Sequence, residues 1–376
     1  MKSVELFAGA GGLGIGVARA GFDHAAVIEW DRWACDTLEE NESWPIHRVD
    51  IREFDYANLP PIELVSGGPP CQPFSMGGKH HAYLDPRDMF PQAIRAVREL
   101  HPKAFIFENV KGLRRATFSN YLEYIRLQLR HPELLTKPEE SWSEHFARLE
   151  RHESSGRHEG LHYHVVVRLL NAANYGVPQK RERVFLVGFR SDLGIEWNFP
   201  EETHSLRALA WSQGPNGDYW DHHNILHKDH AIIVGPLREE PATKPWVTVR
   251  DALLGLPDPE FEREAAEAFP DHRFIQGARS YPGHTGSPLD LPAKTLKAGV
   301  HGVPGGENML RRSDGSIRYF SVRESARIQT FPDDFLFHGS WGETMRQLGN
   351  AVPVTLAEVV SRSVRIQLDS LAETSP

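Results

Sequence analysis

The chain has 376 residues, 40% apolar and 25% charged, with two cysteines and a formal net charge of −9, the make-up of a soluble globular protein with one large domain and an insertion, or two domains. Two distant cysteines exclude a disulfide framework and imply a reducing, cytoplasmic setting; the lack of any apolar run of about 18 residues excludes a membrane span, and a strand signal starting at Val4 leaves no room for a secretory leader. The acidic balance counts against a protein that is basic all over, but not against a local basic face that meets a polyanion.

Val4 to Phe7 reads as a strand, Ala8 to Gly14 as a glycine-rich turn and Ile15 to Ala20 as a helix. Gly9, Gly11 and Gly14, with Gly12 between them, satisfy G-x-G-x-x-G between strand and helix, where the backbone approaches a nucleoside cofactor. A second strand, Ala25 to Ile28, ends in Glu29-Trp30-Asp31, and an acid at that point is placed to hold a ribose hydroxyl. These features imply a nucleoside cofactor without separating NAD from S-adenosylmethionine; the glycines alone favour NAD.

Ile62 to Val65 reads as a buried strand, stopped by Gly67-Gly68-Pro69-Pro70. Cys71 then falls on a tight loop past the strand's carboxyl end, the edge where open α/β sheets bind ligands. A cysteine between Pro-Pro and Gln-Pro reads as a nucleophile held still, rather than as a packed hydrophobe. Met76 to Leu84, with Gly77-Gly78 and His80-His81, reads as a lid that follows the nucleophile. Asp85 to Phe90 precedes an amphipathic helix through Leu100, and Ala104 to Phe107 is a strand capped by Glu108-Asn109-Val110. Glu108 and Cys71 thus end neighbouring strands and face one pocket.

His131 to His164 is rich in Glu, Arg, His and Ser and reads as a solvated insertion of a helix and a loop. His164 to Leu170 returns to strand character. Gln179-Lys180-Arg181-Glu182-Arg183 leads into the strand Val184 to Gly188, with Arg181 and Arg183 on one side at period two. From residue 191 to about 281 the chain is irregular, with many Trp, His, Pro and Gly residues, and reads as a second domain of short strands. His223, His227 and His230 share a helical face, but no cysteine joins them and no metal site is expected. Such a surface suits base-edge and phosphate contacts. Arg323 to Asp333 is a short helix ended by Pro332, and Thr355 to Leu371 is the closing helix.

Pro70-Cys71-Gln72-Pro73-Phe74-Ser75 resembles the catalytic loop of the cytosine-5 DNA methyltransferases of the bacterial restriction–modification type, and further elements follow in that family's order. These are Phe7-x-Gly9-x-Gly11-Gly12, Glu29-Trp30, Val49-Asp50-Ile51, an Asp-x-Arg element at Asp85, Phe107-Glu108-Asn109-Val110, Gln179-x-Arg181-x-Arg183, Arg323-Glu324 through Phe331-Pro332, and Gly349-Asn350-x-Val352-Pro353. Leu291 to Gly299 and Gly302 to Asn308 are similar to the segment that follows target recognition in some members.

The resemblance implies an α/β fold: a Rossmann-like, seven-stranded, mostly parallel S-adenosylmethionine-dependent methyltransferase sheet with an inserted, irregular target-recognition domain. Residues 1–190 and 343–376 would form the catalytic and cofactor-binding domain, and 191–342 the target-recognition domain with its connecting segment. It implies Cys71 as nucleophile, Glu108 on N3 of the cytosine, Arg181 or Arg183 on its O2, and no metal. It assigns Phe7, Gly9, Gly11, Gly12, Glu29, Trp30, Asp50, Ile51, Pro70, Met89, Asn350 and Val352 to S-adenosylmethionine and its product S-adenosylhomocysteine. The implied partner is double-stranded DNA, bound by a nucleoid-associated monomer whose cognate restriction endonuclease acts separately. The rival reading is a tRNA cytosine-5 methyltransferase with the same catalytic elements; the long irregular segment between Arg190 and Arg323 favours DNA.

Overall fold

The computed structural model describes residues 1–70, 88–156, 160–226, 237, 239–282, 285–298 and 308–373. Cys71, the lid at 76–84, Asp85 and Arg87, His227, His230 and most of the glycine-rich stretch at 302–308 lie outside the described residues. The chain divides into two compact units, one of residues 1–170, 182–199 and 360–376, the other of 171–181 and 200–359.

The first unit alternates strands and helices: β1 (Lys2–Leu6), α1 (Gly12–Arg19), β2 (Asp23–Glu29), α2 (Arg32–Asn41), β3 (Ile46–Arg48), β4 (Leu64–Gly67), α3 (Phe90–Leu100), β5 (Ala104–Val110), α4 (Ser119–Arg130), α5 (Trp142–Ser154), β6 (Tyr163–Asn171) and β7 (Glu182–Arg190). The strands form one seven-stranded sheet in the order β3-β2-β1-β4-β5-β7-β6. β1 to β5 pair in parallel, and β7 runs antiparallel to β5. The runs Val4–Leu6, Leu64–Val65 and Ala104–Phe107 are buried throughout, as strands covered on both faces must be. The order reverses direction at β1 and β4, so their carboxyl ends open the crevice in which such sheets bind ligands.

One polar side chain interrupts this core. Glu5 of β1 is 1% exposed and lies opposite Ser66 of β4, whose hydroxyl donates to its Oε2. Its Oε1 has no partner among the described residues, and burial pushes its carboxyl up to about 8. The folded chain therefore keeps a proton that the unfolded chain loses near pH 4.5, so stability falls as pH rises from about 4.5 to 8 and then levels off. Glu5→Gln is expected to flatten this dependence. In thermal melts at pH 5.5 and pH 8, wild type should lose several degrees more than the variant; parallel losses would show that Glu5 is ionised throughout.

The insertion forms a helix, as its composition implies. Ser141 opens α5 with a reciprocal capping box to Glu144. Leu149, Trp142 and Phe146 of α5 pack on Tyr124 and Leu127 of α4, and His145 bridges the Tyr124 hydroxyl and the Leu134 carbonyl. This small core sits outside the main one, which centres on β1, β4, β5 and α3.

The second unit holds short elements: β8 (His204–Ser205), α6 (Leu206–Ser212), α7 (Tyr219–His222), β9 (Lys244–Pro245), α8 (Val249–Ala252), α9 (Arg263–Glu267), β10 (Ser287–Pro288), β11 (Met309–Arg311), β12 (Ile317–Tyr319), α10 (Val322–Ile328), α11 (Trp341–Asn350) and the start of α12 (Val354–Glu373). Aromatic packing and buried ion pairs replace long periodic elements: Leu209, Tyr219 and Trp220 form one cluster, and Arg318 forks onto Glu324 at 2.6 Å. In the Arg323–Pro332 element, Arg323 donates to the carbonyls of Pro270, Pro332 and Phe335, an architectural use of a buried arginine.

Two expectations change. The unit boundaries fall at 170/171, 181/182, 199/200 and 359/360 rather than at 190 and 342, because residues 171–181 and 343–359 are tied by hydrogen bonds to the second unit's own segments. His223 is not on a helical face: α7 ends at His222 and Asn224 has a φ of 54°. His223 Nε2 instead bonds Asp251 at 2.8 Å, so its ring is tied into the cap of α8.

Candidate active site

The turn after β1 is built on backbone that side chains resist. Phe7 has a φ of 55° and Gly9 a φ of 55°. A bulky residue in the left-handed region is strained, and such strain concentrates at ligand sites. A Cβ on Gly9 would meet nothing within 4 Å, so the peptide there faces open space. The turn is held from β2: Glu29 accepts from the amides of Gly9 (2.8 Å), Trp30 (2.9 Å) and Asp31 (2.8 Å). Glu29 is 8% exposed, and burial raises its carboxyl pKa against the pull of these amides. The Trp30 indole beside it is 74% exposed, which leaves a flat apolar face open to a stacking ring. Gly11 caps α1 at a φ of 84°, and Gly12 is its first residue.

Asp50 begins a single 3-10 turn whose first residue is the buried Ile51. Its carboxylate accepts from Arg52, both from the amide and from Nε at 3.0 Å, and this hydrogen bonding lowers its pKa. Arg95 of α3 fixes the same turn by donating to the Ile51 carbonyl at 2.6 Å.

A buried carboxylate, Glu108, stands near the end of β5. Glu108 is 7% exposed, and Arg183 Nε lies 2.8 Å from its Oε1. The antiparallel run of β7 makes this possible, since it brings the start of β7 to the carboxyl end of β5, with Arg183 opposite Val110. Burial lowers the Arg183 guanidinium pKa, and the Glu108 charge offsets that. Next in line, Asn109 Nδ2 donates to the Pro69 carbonyl at 2.9 Å while its Oδ1 accepts from the Val110 amide. The Met89 amide takes the Pro70 carbonyl at 3.0 Å. A Cβ on Gly68 would lie 3.4 Å from Glu108 Oε2. The segment that leads to Cys71 is thus fastened beside Glu108 at both of its last carbonyls. Asn109 was quoted in the sequence only as part of Glu-Asn-Val; its grip on Pro69 is a function that the linear pattern did not signal.

Arg181 is used differently from Arg183. It is fully buried in the second unit, and its guanidinium donates to the carbonyls of Leu296 (3.0 Å), Gly349 (2.6 Å) and Ala351 (2.9 Å). Gln179 and Gln329 join this network: Gln179 donates to Gln329 Oε1 and accepts from the Leu296 amide, and Gln329 donates to the Ala351 carbonyl. Of the two arginines expected beside the base, Arg181 thus has both Nη groups engaged by main-chain carbonyls of the second unit, whereas Arg183 stands against Glu108. Asn350, exposed at the end of α11, and the buried Val352 flank the carbonyls that Arg181 holds.

The other cysteine, Cys35 of α2, is fully buried, and its thiol is pushed up to about 12 by burial, which makes it inert as a nucleophile.

Comparison with known proteins agrees with this geometry. The family model described as C-5 cytosine-specific DNA methylase matches residues 1–132 and 157–365, so its gap coincides with the insertion that carries α5. The chain is 32% identical over 376 residues to the Type II methyltransferase M.FnuDI of Fusobacterium nucleatum, covering 97% of this chain and 94% of that one. It is 31% identical over 371 residues to M.NgoMIV of Neisseria gonorrhoeae, covering 96% of each. Among solved structures, the S. pombe Dnmt2 methyltransferase matches over 99% of both chains with a TM-score of 0.58 at 19% identity, a likeness of fold alone. With strand order, the Glu108–Arg183 pair and a family match spanning nearly the whole sequence in agreement, the chain belongs to the C-5 cytosine-specific DNA methylase family.

Proposed function

We propose that the protein transfers a methyl group from S-adenosylmethionine to C5 of a cytosine extruded from a specific double-stranded DNA sequence, as the modification half of a restriction–modification system. The observation that carries this reading is the buried Glu108–Arg183 pair beside the fastened root of the Cys71 loop. The Type II methyltransferase names of the relatives support DNA as substrate.

The residues fit the cofactor. Open space over Gly9, the buried acid Glu29 and the bare indole of Trp30 together suit an adenosyl group, with the ribose on Glu29 and the adenine on Trp30. Phe7, Gly11, Gly12, Asp50, Ile51, Pro70, Met89, Asn350 and Val352 complete the proposed contacts. When bound, S-adenosylmethionine supplies an electrophilic methyl group.

Cytosine C5 is a poor nucleophile, and the protein's task is to activate it. The Cys71 thiolate adds to C6, and the electrons of the 5,6 double bond move toward C5 and N3. Glu108 hydrogen-bonds N3 and the exocyclic amine, which stabilises the charge that develops at N3. Arg183 orients Glu108 through Nε, donates from Nη1 to the Glu182 carbonyl and offers Nη2 to O2. After methylation, loss of the C5 proton and β-elimination release Cys71. The reacting face is stacked within a duplex, so the base must be flipped out first.

The test is to incubate the protein with radiolabelled cofactor and either duplex DNA or tRNA, then to map the modified positions. Label in 5-methylcytosine at one place within a recurring DNA sequence is expected. Label in tRNA, or in a base other than cytosine, would overturn the reading.

A further inference from the structure

The net charge of −9 poses a problem that the site as described leaves open: a DNA-modifying chain must find phosphates with a surplus of carboxylates. The first unit carries a local answer directly after Glu108. From Asn109 to Leu122 the sequence holds three cations, Lys111, Arg114 and Arg115, and no carboxylate.

The geometry of this stretch is fixed from below. Lys111–Arg114 form a 3-10 turn that follows the end of β5 without a break. Leu113 is buried at 1% exposure and anchors the turn in the main core. Lys111 Nζ lies 2.5 Å from Glu182 Oε2, which pins the turn to the first residue of β7, next to Arg183. The Arg115 amide bonds the Gly112 carbonyl, and the Phe118 amide bonds the Arg115 carbonyl. Arg114, Arg115, Ala116 and Thr117 are all exposed on this rigid base. The exposed Arg48 and Arg52 are by contrast matched by acids, Arg48 by Asp36 and Glu39 and Arg52 by Asp50. Arg114 and Arg115 have no carboxylate within ion-pair distance among the described residues.

Arg114 and Arg115 stand side by side in solvent, on a base that continues from the strand bearing Glu108, in a stretch with no carboxylate to cancel their charge. We propose that Arg114 and Arg115 clamp the phosphodiester backbone of the strand that carries the target cytosine, beside the nucleotide that Glu108 receives. The proposal rests on the functional reading above. The contacts are to phosphate and carry no sequence information, so the clamp positions the duplex rather than selecting its site.

The test compares the full chain with R114Q/R115Q and R114K/R115K, measuring affinity for a duplex carrying the mapped site across 50–300 mM salt. Each phosphate contact contributes about 0.9 to the slope of log K against log salt. The Gln pair should lower that slope by roughly 1–2 and weaken binding on the order of tenfold near 150 mM salt. Its thermal midpoint should match wild type, because both side chains are exposed. The Lys pair should keep the wild-type slope, since counterion release depends on charge rather than on the planar fork. An unchanged slope in the Gln pair, a slope lost equally in the Lys pair, or a slope change on tRNA with none on duplex DNA would overturn the clamp. A wild-type chain that neither binds nor methylates duplex DNA would instead sink the functional reading, and the clamp with it.

Discussion

Cys71→Ala is expected to reduce methyl transfer to background while binding of the DNA duplex and of S-adenosylmethionine persists. In the proposed mechanism the sulfur supplies the electron pair that makes C5 nucleophilic, and alanine has none to offer. The one other thiol, Cys35, is fully buried with its pKa pushed up to about 12 by burial. Single-turnover assays with labelled cofactor measure the loss. DNA containing 5-fluorocytosine at the target should trap the wild-type enzyme as a covalent complex, because fluorine cannot leave as the C5 proton does. The trap should be absent in Cys71→Ala. Residual turnover in the variant, or a trap through another residue, would remove the nucleophile assignment.

Glu108→Gln is expected to slow transfer by about 10²–10³, the effect of losing roughly 3–4 kcal/mol of stabilisation at a developing charge. The substitution keeps the shape and one carbonyl acceptor, but it removes the carboxylate that Arg183 holds at 2.8 Å. Both groups are about nine-tenths buried, so the change also leaves a guanidinium without its counter-charge. Fold and function must therefore be read apart. The rate is followed by single turnover at saturating DNA, and the thermal midpoint is measured alongside. A near-normal rate with a lowered midpoint would make the pair structural; a large rate loss at a similar midpoint supports the role on N3.

The sheet of the first unit was legible in the sequence because its signals are local. Leu64–Val65 and Ala104–Phe107 are short apolar runs followed closely by glycine and proline or by an acid, Val4–Leu6 is a run broken by one acid and followed closely by glycines, and each is a buried strand. The direction of the Arg181 side chain was not legible for a physical reason. Period two puts alternate residues on one face only within a strand, and β7 starts at Glu182, so Arg181 lies on the connection before it and turns toward other carbonyls. The buried grips of Asn109 and Gln329 were equally silent, since an amide side chain gives no sign in sequence of the distant carbonyl it will meet. The irregular segment after residue 199 resisted reading because its helices run to a single turn or two and its strands to two or three residues. Ordering there comes from the Tyr219–Trp220 cluster and from paired arginines.

Helix α5 lies in a stretch that the family model does not match, and its Glu153 ties it to Arg130 and His131 at the end of α4. It rests on the outer side of α4 through its own few apolar residues, its capping box closes one end, and Ser154, Ser155 and Gly156 leave the other end in solvent. A segment attached in this way is a graft point. A fluorophore or a fused domain placed at 154–156 would ride on the enzyme at a position the sheet does not feel, giving a handle for watching the protein move along DNA.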